Sequence, residues 1–186
     1  LLAETLFRLG PGENKKLLEI GCGSGVVSIF ANRNGWDVIG CDINPLSIVV
    51  SKGLANSLEI NSLEFIEDGI EPIRNKKIDV FKKGPFDLII WNLPYLEKPQ
   101  KHEVLGPFED AALSDISINN DEKLHNILLN KINNSNSLKN DGFIILIHND
   151  RGAGRILDSD CRKNGWATRK INTKVLNDGE RLIATA

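Results

Sequence analysis

The 186-residue sequence contains no methionine, only one tyrosine and only three cysteines. It lacks an initiator and opens at once in a helical pattern (residues 1–9), so its natural start is expected to lie upstream. Cys22, Cys41 and Cys161 are odd in number and far apart, with no C-x-x-C pair and no metal-ligand spacing. That excludes a disulfide scaffold, gives no metal site and points to a reduced, cytoplasmic protein. No apolar run approaches the roughly 18–20 residues of a membrane span. Leu1-Leu2 is interrupted by Glu4 and Arg8, which is not the pattern of a signal peptide. Net charge is −2, without the basic excess of a duplex-binding protein, so nucleic acid is the less expected partner. What is present, 41% hydrophobic and 26% charged residues, is the composition of one globular domain over 1–186. A core of this size buries roughly 70% of the unfolded surface without any staple.

Short apolar runs alternate with longer amphipathic ones. Strands are expected at 17–20, 36–41, 62–67, 86–91 and 142–148. Helices are expected at 1–9, 26–33, 45–58, 121–134 and 154–164. The polar stretches at 119–120 and 133–140 read as loops. Near the end, 166–175 and 181–186 flank Asn177-Asp178-Gly179, a triplet that tolerates the positive φ of a hairpin turn. Strand–helix alternation predicts an α/β fold. It is a seven-stranded, mostly parallel, Rossmann-like sheet with helices on both faces and a C-terminal antiparallel hairpin.

Two segments carry chemistry. The first is Glu19-Ile20-Gly21-Cys22-Gly23-Ser24-Gly25, between the first strand and the next helix. Glycines there let the chain turn sharply and a ligand approach the backbone, and the helix start offers free N–H groups. A dinucleotide fingerprint would need a third glycine three residues after Gly23, and that residue is Val26. Asp42 ends the second strand, 21 residues after Gly21, where a carboxylate can accept both hydroxyls of a ribose. The competing reading of Asp42 is a helix N-cap before Pro45. If the turn holds an adenosine cofactor, as its resemblance to motif I of class I S-adenosylmethionine-dependent methyltransferases implies, Ile43 could cover the adenine face and Asp68, at the end of the third strand, could reach its amino group; the competing reading of Asp68 is an ordinary Asp-Gly turn.

The second segment is Asn92-Leu93-Pro94-Tyr95, which ends the fourth strand. It resembles the motif IV signature of methyltransferases that modify planar, weakly nucleophilic nitrogens, and the residues suit such a target. Its lone pair is delocalised and must be freed and aimed before it can attack. Asn92 can accept one N–H, the Leu93 carbonyl can accept the other, Pro94 fixes that carbonyl's direction, and Tyr95 can stack on the planar group.

The glycine spacing resembles motif I of class I S-adenosylmethionine-dependent methyltransferases, and Asn-Leu-Pro-Tyr resembles their [DNS]-x-P-[YF] motif IV. With Asp42-Ile43-Asn44-Pro45, Asp68 and the strand before Asn92, the likeness spans nearly the whole chain. It is similar to the HemK/PrmC N5-glutamine methyltransferases, and more narrowly to their short archaeal and eukaryotic branch. The resemblance implies the class I methyltransferase fold and S-adenosylmethionine as cofactor, held by Glu19, Gly21, Gly23, Gly25, Asp42, Ile43, Asp68 and Asn92. It implies Asn92, Pro94 and Tyr95 as catalytic residues and Asn92, Leu93 and Tyr95 as substrate contacts. It also implies the glutamine of a release factor's Gly-Gly-Gln loop as substrate, and a small zinc-binding activator protein at the edge of strand three. Leu93 stands where that family usually has proline; Asn-Leu-Pro-Tyr occurs in ribosomal RNA adenine dimethyltransferases, which carry a different glycine turn and strong positive charge. Residues 111–115 lack the family's Gly-Gly pair. Methylation of an adenine amino group in RNA or DNA therefore stays open, as does a non-catalytic scaffold that only binds the cofactor. His148, at the end of strand five, is a possible substrate contact, and the long loop 96–120 reads as substrate-facing. At the strand-three edge, the competing expectation is that residues 78–81 fold back and cover it.

Overall fold

The computed structural model describes residues 1–71, 78–94, 122–149, 152–178 and 180–185. In chain order the elements are α1 (Leu2–Leu9), β1 (Lys16–Ile20), α2 (Val26–Arg33), β2 (Asp37–Asp42), α3 (Pro45–Ser57), β3 (Glu64–Glu67), a 3-10 turn (Val80–Lys83) and β4 (Phe86–Asn92). Then come α4 (Leu124–Ser135), β5 (Leu138–Asn149), a second 3-10 turn (Gly152–Arg155), α5 (Leu157–Lys163), β6 (Thr173–Asp178) and β7 (Glu180–Thr185). The chain divides into two compact units.

The first unit comprises Leu2–Trp91 and Ile132–Ile145. Its strands run in the order β3-β2-β1-β4. All three pairings are parallel, with Leu17 opposite Val38 and Leu88, and Gly40 opposite Phe65. Strands covered on both faces read as continuous apolar runs. Accordingly Leu17, Leu18, Val38, Leu88, Ile89 and Ile90 are fully buried. Each such side chain contributes roughly 1.5–3 kcal/mol. Asp87 ties the amino ends of the strands together. It accepts from the Lys16 N–H at 2.7 Å and from the Lys139 ammonium at 2.9 Å. α3 starts as the sequence suggests, with Pro45 in its first turn, but the N-cap is Asn44, whose side chain accepts from the Leu46 N–H at 2.9 Å. Asp42 is thus not the cap.

The second unit comprises Leu1, Asn92–Lys131 and Leu146–Ala186. β7 pairs antiparallel with the end of β5 (His148 opposite Thr185) and along its length with β6. The hairpin closes at Asp178 opposite Glu180. Buried His125 on α4 places Nε2 3.1 Å from Asp160 Oδ2 on α5.

Several boundaries differ from expectation. α4 starts at Leu124 and not at 121, and β3 at Glu64 and not at 62. β5 begins at Leu138, inside the stretch read as a polar loop, and only residues 136–137 separate it from α4. Backbone pairing does not require apolar side chains where a strand end is exposed. The Phe86 N–H donates to the Ser137 carbonyl at 2.7 Å, and Lys139 reaches Asp87. The helix expected from 154 starts only at Leu157, because residues 152–155 form a 3-10 turn against the end of β5. β6 starts at Thr173, not at 166. Among the described residues no helix is long and apolar enough to cross a membrane.

Candidate functional site

In the first unit the glycine segment leaves β1 and enters α2. Gly21, Gly23 and Gly25 all have positive φ (62°, 53° and 78°), which side chains rarely adopt. The turn is held from inside. The Cys22 N–H donates to the Cys41 carbonyl at 2.9 Å, and the Gly25 N–H to the Cys22 carbonyl at 2.8 Å. The three glycines serve different ends. A Cβ at Gly25 would sit 2.6 Å from Phe65 Cζ and 2.8 Å from Ser51 Cβ, whereas a Cβ at Gly23 would meet nothing within 4 Å. Gly25 is needed for packing; Gly23 faces open space. Gly25→Ala should therefore destabilise the fold by roughly 2–5 kcal/mol, combining a left-handed backbone with overpacking. Gly23→Ala should cost about 1 kcal/mol, from the backbone alone. Denaturant titration of both variants tests this ordering, and equal losses would refute it.

Asp42 organises the open side of the turn. Its Oδ2 accepts from the Gly23 N–H at 2.9 Å, and its Oδ1 from the Asn44 N–H at 2.8 Å. Each oxygen keeps lone-pair capacity for a further donor. Its own carbonyl accepts from the Asp68 N–H at 3.1 Å, so the ends of β2 and β3 are joined. Asp68 is buried and accepts from the Val80 N–H at 2.7 Å. Ile43 is exposed and its Cγ2 leans over Gly69, 2.5 Å from where a Cβ would be. The structure thus brings together the glycine turn, Asp42, Ile43 and Asp68.

Glu19 lies beneath this surface, buried, with Ser28 Oγ donating to its carboxylate. Sequence reasoning missed Ser28. The available signal was a serine on the first turns of a helix right after the glycines. Burial is the main cause that pushes the Glu19 carboxyl up to about 7; the Ser28 hydrogen bonds oppose it and the Asp42 charge adds to it. The folded state thus holds a proton that the unfolded chain releases near the ordinary value of 4.5. The associated stability is complete below that value and is lost as pH rises through about 7. Over that window the loss is about 3 kcal/mol. Thermal melts from pH 5 to pH 8 should show this fall in the natural chain and not in Glu19→Gln; identical slopes would remove Glu19 as the cause. Burial also pushes the Cys22 and Cys41 thiols up, so neither is a ready nucleophile.

In the second unit, Asn92 is exposed and its amide has no hydrogen bond among the described residues. Leu93 and Pro94 behind it are buried, and the Leu93 N–H donates to the Ile147 carbonyl at 2.9 Å. His148, half-buried, places Nδ1 2.8 Å from the Asn149 carbonyl oxygen. Tyr95 and the loop 96–120 lie outside the described residues. Among the described residues no group of three or more His, Cys, Asp or Glu side chains could hold a metal ion.

A family profile described as a methyltransferase domain matches residues 11–178, nearly the whole chain. The chain belongs to this methyltransferase family. Its cofactor is S-adenosylmethionine. This methyltransferase is 32% identical over 93 residues to a Methanocaldococcus jannaschii protein named provisionally as a protein N5-glutamine methyltransferase, an alignment covering 50% of this chain and 43% of that one. It is 33% identical over 113 residues to the ribosomal protein L11 methyltransferase of Thermus thermophilus, covering 58% of this chain and 40% of that one. Other matched relatives carry release-factor glutamine, ribosomal RNA and O-methyltransferase names. The alignments span less than half the length of these first two relatives. The crystal structure of a SAM-dependent methyltransferase from Aquifex aeolicus superposes with a TM-score of 0.60 at 13% identity, covering 99% of this chain and 87% of that one. That likeness shows the fold, an α/β methyltransferase fold with a parallel sheet.

Proposed function

We propose that this methyltransferase modifies a planar side-chain nitrogen, the glutamine amide in the Gly-Gly-Gln loop of a translation release factor, and that it is a member of the HemK/PrmC group. The observation that carries the reading is the state of residues 92–94. Asn92 offers an unengaged acceptor, Oδ1, at the carboxyl end of β4. The carbonyl of Leu93 is constrained on both sides. Its own N–H is bonded to Ile147, and Pro94 follows with a fixed φ. Two acceptors held in this way can take both N–H groups of a primary amide and turn its lone pair out of conjugation. Catalysis is then mainly positioning and electrostatics, with Tyr95 covering the planar group.

The first unit fits the cofactor. Gly23 opens onto free space, Asp42 keeps acceptor capacity for ribose hydroxyls, and Ile43 exposes an apolar face suited to adenine, with Asp68 beside it. Glu19 supports the turn from below. When bound, S-adenosylmethionine supplies an electrophilic methyl group on a sulfonium. The reading takes residues 1–186 as one cytoplasmic domain whose seven strands form a single sheet.

Mass spectrometry of a release factor incubated with this chain and S-adenosylmethionine tests the proposal. One methyl group on the Gly-Gly-Gln glutamine is the expected result. Leu93, in place of the family's usual proline, favours adenine as the second reading, and labelled methyl found on RNA or DNA instead would establish it. Cofactor binding without transfer to either would leave a non-catalytic scaffold.

A small zinc-binding activator at the β3 edge belongs to the same proposal, since β3 ends the strand order of its unit. The alternative is cover from within the chain. Val80 and Phe81 are buried, Val80 is bonded to Asp68, and Lys83 Nζ reaches Glu64 on β3 at 2.8 Å. Light scattering with and without activator separates them. A soluble, active monomer unchanged by activator would sink the partner.

A further inference from the structure

Trp91 is the last residue of the first unit on β4, opposite Ile20 in the parallel register and directly before Asn92 in the chain. Its indole lies against the start of the glycine turn. A Cβ at Gly21 would come 3.1 Å from Trp91 Nε1 and 3.6 Å from its Cδ1. The side chain is more than nine-tenths buried, at 6% exposure. Yet the indole N–H has no hydrogen-bond partner among the described residues, and it is not among the fully enclosed orphan atoms. A buried indole normally finds an acceptor for its N–H. Here the donor edge is left open, at the turn that the cofactor's amino-acid part would follow.

The electrostatics of the turn say which group that donor suits. The charges that act on the Glu19, Cys22 and Cys41 side chains are chiefly those of the acidic Asp42, Asp68 and Glu19, together with the cysteines themselves. The turn therefore favours the ammonium of an amino acid and is poorly matched to its carboxylate. A carboxylate seated there needs neutral donors, and the unengaged indole N–H is one.

We propose that the Trp91 indole N–H is a hydrogen-bond donor to the α-carboxylate of bound S-adenosylmethionine, a cofactor contact beyond the glycine turn and Asp42. The inference rests on the placement of the cofactor at residues 21–25. It also gives Gly21 a second reason to be glycine, since a Cβ there would press on the indole at 3.1 Å.

The test is calorimetry with two ligands that differ only in the carboxylate, S-adenosylmethionine and its decarboxylated form. Trp91→Phe keeps the aromatic face and removes the N–H. It should weaken S-adenosylmethionine binding roughly 10- to 100-fold, the worth of a hydrogen bond to a charged group, and leave the decarboxylated ligand within about twofold. Equal losses for both ligands would mean that the ring acts by packing or over the sulfonium, and would overturn the proposal. So would an unchanged affinity for S-adenosylmethionine. A second measurement needs no substitution at Trp91. In the 15N spectrum of the natural chain, the indole signals of Trp36, Trp91 and Trp166 are told apart with Trp36→Phe and Trp166→Phe. The Trp91 signal should move downfield with S-adenosylmethionine and not with the decarboxylated ligand; a signal that ignores both ligands while they bind refutes the contact. If the natural chain binds neither ligand, the cofactor site itself is misplaced and the proposal falls with it.

Discussion

Asn92→Ala should lower kcat for methyl transfer by roughly 100- to 1000-fold, the cost typical of removing one preorganised hydrogen bond to a transition state. The side chain is exposed at the end of β4 and bonded to nothing among the described residues, so its removal breaks no internal contact. Thermal stability should stay within about 0.5 kcal/mol, as for a surface substitution. The amide's role arises as the target nitrogen loses conjugation. The loss should therefore fall on kcat more than on KM, with S-adenosylmethionine affinity nearly intact. Asn92→Asp keeps an acceptor oxygen in the same place and should retain more activity than Asn92→Ala. Single-turnover kinetics with saturating cofactor give the measurement. An alanine variant within a few-fold of the natural chain would make Asn92 a strand terminator and remove the observation on which the proposed function stands.

The parallel strands were legible because burial on both faces forces unbroken apolar runs. Leu17-Leu18 and Leu88-Ile89-Ile90 cannot serve an exposed strand. The glycine turn was legible because positive φ leaves a residue signature, and all three expected glycines have it. What could not be read was set by tertiary contacts. Asp42 read as a ligand group with a helix cap as the lesser alternative, and only the fold shows its carboxylate joined to the Gly23 and Asn44 N–H groups, with Asn44 as the cap. Ser28 and Trp91 were invisible as site residues because their roles come from what sits beside them. Ser28 meets a carboxylate nine positions away, and Trp91 meets a glycine seventy positions away. The start of β5 was missed because polar residues 139–141 pair through the backbone, which carries no sequence signature at an exposed strand end.

Asp42→Ala should weaken S-adenosylmethionine binding by roughly 100-fold or more, through two separable causes. If both ribose hydroxyls donate to this carboxylate, two charge-assisted hydrogen bonds disappear, each worth about 1.5–3 kcal/mol. The carboxylate also holds the Gly23 and Asn44 N–H groups, so the turn loses its tether on the side where the cofactor lies. Asp42→Asn separates the causes in part, since the amide keeps one acceptor oxygen of similar shape and loses the charge. A ligand lacking both ribose hydroxyls separates them fully. It should bind the natural chain weakly and lose little more on going to Asp42→Asn, because the contacts removed by the substitution are already absent from the ligand. If instead the hydroxyl-free ligand loses as much as S-adenosylmethionine does, Asp42 acts only by shaping the turn. If the alanine variant melts earlier but binds S-adenosylmethionine undiminished when folded, the carboxylate faces no ribose, and the assignment of β2's end to the cofactor is wrong.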